Sequence, residues 1–148
     1  MKALLATMKT TLQGLSCVRE QDVYITASFE LIPNGVRMPA VALKDGPIVR
    51  TELSGGMWER TLTVRIGLFA QVLKSEASIM GDAVSNQKGL LDLARDVHGL
   101  LDENLLSIAG MQAAFSPSET ESETVGNETE MLQRKIVTYT YTQQEDRP

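Results

Sequence analysis

Four small groups of residues have types and spacings that could do chemistry. His98 and Asp102 stand four apart, within reach of each other on a helix. Histidine is the side chain best suited to proton transfer near neutral pH. A catalytic pair also needs a nucleophile, and no G-x-S-x-G motif is present. His98 therefore reads as a border histidine bonded to Asp102. Asp92 and Asp96 lie one helical turn apart and could hold Mg²⁺ or exchange protons. They share a polar face with Arg95 and Gly99, which makes a solvated or subunit-facing surface the better reading. Cys17 is next but one to Arg19, which could activate a thiolate. A small, half-buried core thiol is the simpler role. The glycines of "DGPIVRTELSGG" lack the Lys-Ser/Thr of a phosphate-binding loop, and a strand follows them instead of a helix. Gly55-Gly56 reads as a tight turn.

The elements that position these residues follow from periodicity. Leu4, Leu5, Met8, Leu12 and Leu15 recur at helical spacing and predict a helix from Lys2 to Leu15. "DVYITASFELIP" alternates, predicting a strand with Val23, Ile25, Ala27, Phe29 and Leu31 inward and Tyr24, Thr26, Ser28 and Glu30 outward. "VRMPAVAL" predicts a second strand, with Pro39 at an edge or a strand start. "KDGP" reads as a turn, and Ile48 to Leu53 as a short strand or extended arm. After Gly55-Gly56 comes the clearest strand. Leu62, Val64, Ile66 and Leu68 face one way; Glu59, Thr61, Thr63 and Arg65 face the other. Ala77 to Val84 suggests a helical turn weakened by Gly81.

"GLLDLARDVHGLLDENLL" is the best helix. Leu90, Leu91, Leu93, Ala94, Val97, Leu100, Leu101 and Leu105 fill one half of its wheel. "GMQAAF" and "LQRKIVTYTYTQQ" predict two late strands. Between them Ser116 to Glu130 carries five Glu (Glu119, Glu121, Glu123, Glu128 and Glu130) and reads as an acidic loop or hairpin. Residues 144–148 read as a frayed tail. The order is helix, strands, helix, strands. That predicts one α+β domain over 1–148: a mainly antiparallel twisted sheet, with the N-terminal helix and the long amphipathic helix packed on one face.

Bulk properties bound the function. At 148 residues the chain can bury a substantial core, and with 5% aromatic residues that core is mostly aliphatic. A formal charge of −5 argues against nonspecific binding to DNA phosphates. One Cys and one His make neither an internal disulfide nor a Cys/His zinc site. No signal peptide is read at the N-terminus, where Lys9 interrupts the apolar run, and no stretch is apolar enough to span a bilayer. Asn127-Glu128-Thr129 matches the glycosylation pattern by chance. No catalytic residue, cofactor or metal is expected.

The order of elements resembles the tail terminator and tail-completion proteins of tailed bacteriophages. The likeness lies in the N-terminal helix, "DVYITASFEL", "PAVALKDGP", the Gly-containing turn, "ERTLTVRIGLFA", "GLLDLARDVHGLLDENLL" and "RKIVTYTYT". The resemblance implies a ring, commonly a hexamer, at the head-proximal end of a phage tail, with no enzyme activity. It implies a tail-tube protein on one side, a head-completion protein on the other, and DNA passing through the lumen without specific binding. A ring also offers a way to cover exposed strand edges. The residues expected at the subunit interface are Met57, Trp58, Arg65 and Gly99. Trp58 beside Gly-Gly suits an interface anchor and equally a capping core residue. The acidic segment is expected to face the lumen or a neighbouring ring. Two other readings remain. One is a different neck or tail protein: a stopper, connector or tube subunit. The other is a small α+β enzyme or ligand-binding domain built on Asp92, Asp96 and His98.

Overall fold

The computed structural model describes residues 1–72, 75–82, 88–126 and 131–146. The elements run α1 (Lys2–Leu12), β1 (Val23–Ile25), β2 (Ala40–Leu53), β3 (Met57–Gln71), α2 (Ser75–Met80), α3 (Leu90–Leu101), β4 (Met111–Glu119), β5 (Glu123–Gly126) and β6 (Met131–Asp146). They build an α+β fold around one mixed sheet in the order β1-β2-β3-β6-β4, with β5 also on β6. All neighbours are antiparallel except β1 and β2.

The alternation of β3 sets the main core. Leu62, Val64, Ile66 and Leu68 are buried beside Val137, Tyr139 and Tyr141 of β6. Leu4, Met8 and Leu12 of α1 and Leu90, Leu93, Ala94, Val97 and Leu101 of α3 complete this core. Each helix has one apolar stripe and can bury it only against such a face. Leu91 and Leu105, placed inward by the wheel, are exposed.

The sheet also has a second core on its other face, which the sequence did not predict. Tyr24, Phe29, Ala40, Ala42 and Phe69 cluster there, covered by Val36 and Met38 from the β1–β2 connection. Gly67 makes this possible. A Cβ at Gly67 would lie 2.9 Å from the Phe29 ring and 3.0 Å from that of Phe69.

Four sequence expectations are corrected. The first predicted strand stops at Ile25, because Thr26 and Ser28 bond the local backbone. Thr26 Oγ1 donates to the Ser28 carbonyl at 2.7 Å and accepts from its N–H, and Glu30 N–H donates to Ser28 Oγ. Such bonds compete with a ladder. The chain then turns over the sheet, so Tyr24 and Phe29 are buried while Ile25 and Leu31 are exposed. Second, "KDGP" is not a turn but a bulge inside one long β2, where the register shifts between Asp45 and Ile48. Pro47 cannot donate to a ladder, and a Cβ at Gly46 would meet the Thr63 carbonyl at 2.9 Å. The bulge swaps the faces of β2. Val41 and Leu43 point to the helices before it; Ile48 pairs with Leu62 after it. The turn expected at Gly55-Gly56 is present, with both at positive φ, where Leu53 pairs with Met57. Third, the acidic segment is not a loop throughout: Ser116 to Glu119 continues β4, while Glu123 to Gly126 forms β5 and pairs antiparallel with β6, as the hairpin alternative had it. Fourth, Gln144, Glu145 and Asp146 are paired strand, opposite Glu59, Trp58 and Met57. Residues 127–130 and 147–148, which include Glu128 and Glu130, lie outside the described residues, as does the end of the Ala77–Val84 turn.

Candidate functional site

The densest polar cluster is where α3 crosses β6 and the end of β4. Helical spacing brings Asp102 under His98, with Nδ1 3.3 Å from Oδ1. Alternation on β6 points Tyr139 at both. Its hydroxyl donates to Asp102 Oδ1 at 2.6 Å. That uses its one proton, so the same oxygen accepts from His98 Nδ1 at 2.6 Å. His98 Nε2 lies 2.5 Å from Glu119 Oε1 on β4, and Lys135 Nζ lies 3.1 Å from the other Glu119 oxygen. Burial pushes the Glu119 carboxyl up, but the bonds from His98 and Lys135 outweigh it and hold it below its ordinary range. Burial, reinforced by Asp102, pushes the Tyr139 phenol well up, which keeps it protonated. Leu91, Ala94, Arg95 and Ser116 line an open cleft of about 430 Å³ beside the cluster. Both ring nitrogens of His98 are committed to neighbours, and the arrangement clasps α3, β4 and β6 together.

The sequence paired His98 with Asp102 but missed Tyr139, Glu119 and Lys135. Tyr139 carried a signal, since a buried Tyr needs a partner for its hydroxyl. Glu119 and Lys135 meet only through the β4–β6 register, which a one-dimensional reading does not contain.

The other candidates are engaged locally. Asp92 pairs with Arg95 at 3.2 Å, and Asp96 with Lys88 at 2.5 Å. Among the described residues no group of three or more His, Cys, Asp or Glu is placed to hold a metal ion. Cys17 is half-buried against the main core, and burial pushes its thiol up despite Lys88 nearby. Arg19 turns to Asp22 instead, with Nε 2.6 Å from Oδ2.

The residues expected at a subunit interface do not form one patch within the chain. Met57 and Arg65 lie on the same face of β3, eight residues or roughly 27 Å apart. Trp58 is on the opposite, helix-side face, half-buried, with the Arg50 guanidinium 5.0 Å above its ring. Arg60 and Glu145 add an ion pair at 3.3 Å on that face. Gly99 is on the exposed side of α3, and a Cβ there would meet nothing within 4 Å. Of the acidic segment, Glu119 is in the clasp and Glu123 pairs with Arg134 at 2.5 Å. Glu121 is exposed between them.

With this geometry fixed, the chain can be set beside known proteins. No family model matches it, and no curated protein matches it. Among solved structures, a chain of "Virion of native gene transfer agent (GTA) particle" superposes with a TM-score of 0.58. The match covers 95% of this chain and 94% of that one, at 12% identity. Its fold resembles that of a virion chain. At this identity the likeness is one of fold. It spans both chains almost end to end. No described helix is long and apolar enough to cross a membrane.

Proposed function

We propose that this chain is a structural protein of a phage-like virion. It forms a homo-oligomeric ring, a hexamer in the closest form of this reading, at the head-proximal end of the tail. There it ends tail-tube polymerisation and joins the tail to head-completion proteins. The observation that carries the reading is the near end-to-end fold likeness to a chain of the gene transfer agent virion. The position in the tail rests on the order of elements in the sequence. The acidic charge suits a channel wall that DNA passes without sticking. The reading includes no catalytic step.

Negative-stain images of the purified protein test the proposal. Rings of fixed size that bind to the end of tail tubes are expected. Open polymers would favour a tube subunit, and a monomer that binds neither tubes nor head-completion protein would end the reading.

A further inference from the structure

The outer edge of β2 is unevenly covered. β1 pairs with β2 only from Val41 to Leu43. Beyond the bulge, Ile48 to Leu53 pairs with β3 on one side, and among the described residues no strand pairs with its other side. The side chains there are open too, with Ile48 45% and Val49 59% exposed. Such an edge is a template for another strand.

The opposite edge of the sheet is protected. β4 carries Pro117 and two register shifts, and the Glu103 N–H donates to its Ala114 carbonyl at 3.3 Å. Proline, bulges and covering loops are the usual means of blunting an edge. β4 is therefore a poor partner for β2, and β1 and β5 span only three and four residues. The remaining edge of matching length in a second copy is β2 itself.

The sequence of that edge is chemically self-complementary. Val49-Arg50-Thr51-Glu52-Leu53 runs apolar, cation, hydroxyl, anion, apolar. Two copies related by a twofold axis at Thr51 run antiparallel. Val49 then faces Leu53 of the other copy, Arg50 faces its Glu52, and Thr51 faces Thr51. Both charge pairs fall on the helix-side face, and both apolar pairs fall on the other. Turning to the other copy costs Arg50 its stack on Trp58 at 5.0 Å and a 3.9 Å contact with Glu145, and its side chain is half exposed.

We propose that the free chain dimerises through antiparallel pairing of β2 with β2 of a second copy, centred on Thr51. The contact joins β6-β3-β2 of each copy edge to edge and is small, so the dimer is concentration-dependent. It keeps the open edge covered outside an assembly, and it does not depend on the ring reading.

The test uses a Cys17→Ser background, which removes the native thiol. Thr51→Cys is expected to cross-link into dimers under mild oxidation, whereas Val49→Cys and Leu53→Cys cross-link only when mixed. Equal cross-linking of all three variants alone, or of none, overturns the proposal. Sedimentation adds a charge test. Arg50→Glu should raise the dimer Kd about tenfold, by replacing two opposite-charge pairs with like-charge pairs. Arg50→Glu with Glu52→Arg should restore it. The second variant guards against a folding defect, since Arg50 also stacks on Trp58. Failure of the double swap to restore dimers overturns the Thr51 register. Ring images under the same conditions are scored separately.

Discussion

The Tyr139 hydroxyl reaches out of the main core to donate to Asp102 Oδ1 at 2.6 Å. The ring itself is fully buried and in contact with Tyr141, with centroids 6.3 Å apart. One oxygen thereby links the interior of the sheet to the exposed end of α3, and through His98 to β4. Replacing Tyr139 with Phe keeps the packing and removes the link. Stability should fall by about 1 kcal/mol, because Asp102 can turn to water and recover part of the loss. Denaturant unfolding measures the fall, and faster amide exchange at the end of α3 should accompany it.

Asp22 makes acid sensitivity predictable. It is buried, accepting from Arg19 at 2.6 and 2.9 Å and from the Arg37 N–H at 3.0 Å. The Arg19 bonds hold its carboxyl below the usual range, against the opposing effect of burial. For a lowered carboxyl, the stabilisation is complete above the unfolded value, near pH 4, and is lost as pH falls through the folded value. Glu119 adds in the same direction. Asp22→Asn should flatten the loss of melting temperature below about pH 4. A slope equal to that of the parent protein would assign the acid sensitivity elsewhere.

Two glycines should respond oppositely to alanine. Gly67→Ala forces a methyl against Phe29 and Phe69, so a destabilisation of about 1–3 kcal/mol is expected. Phe29→Leu in the same chain should relieve part of it. Gly99→Ala meets nothing and gains helix propensity, so the protomer should become more stable by up to about 1 kcal/mol. Calorimetry separates the two. If Gly99 sits in a subunit interface, the same change lowers ring formation while raising protomer stability.

Trp58 already has an intramolecular partner in Arg50. Trp58→Ala is expected to shift the ring to smaller species on sizing, at concentrations where the parent ring is intact. An unchanged elution volume would make Trp58 a capping residue of the hairpin and remove it as an anchor.

What the sequence revealed depended on where the determining contacts lie. The inward residues of β3 and most of those on α3 were legible because one face of each meets one core, and period follows burial. The β1 region was misread because hydroxyls at Thr26 and Ser28 end the strand without disturbing its alternation. Gly46-Pro47 was misread because a bulge and a turn call for the same residue types. The second core was hidden because Phe29 and Phe69 meet across a chain reversal. Glu119 and Glu123 looked like loop composition, yet they face Lys135 and Arg134, cations on β6 that are mostly buried in the sheet. Of the candidate site, the His98–Asp102 pair was visible from its spacing, while Tyr139 and Glu119 needed the register.

The bulge at Gly46-Pro47 also bears on how this chain can vary over descent. Residues before it are locked to the core by Val41 and Leu43, whereas those beyond it belong to the hairpin. Loss of one of those two codons would remove the bulge, leaving a single residue opposite Thr63 and every residue of the arm on the face that its β3 partner sets. The kink could therefore be smoothed or restored without exchanging the arm's surfaces.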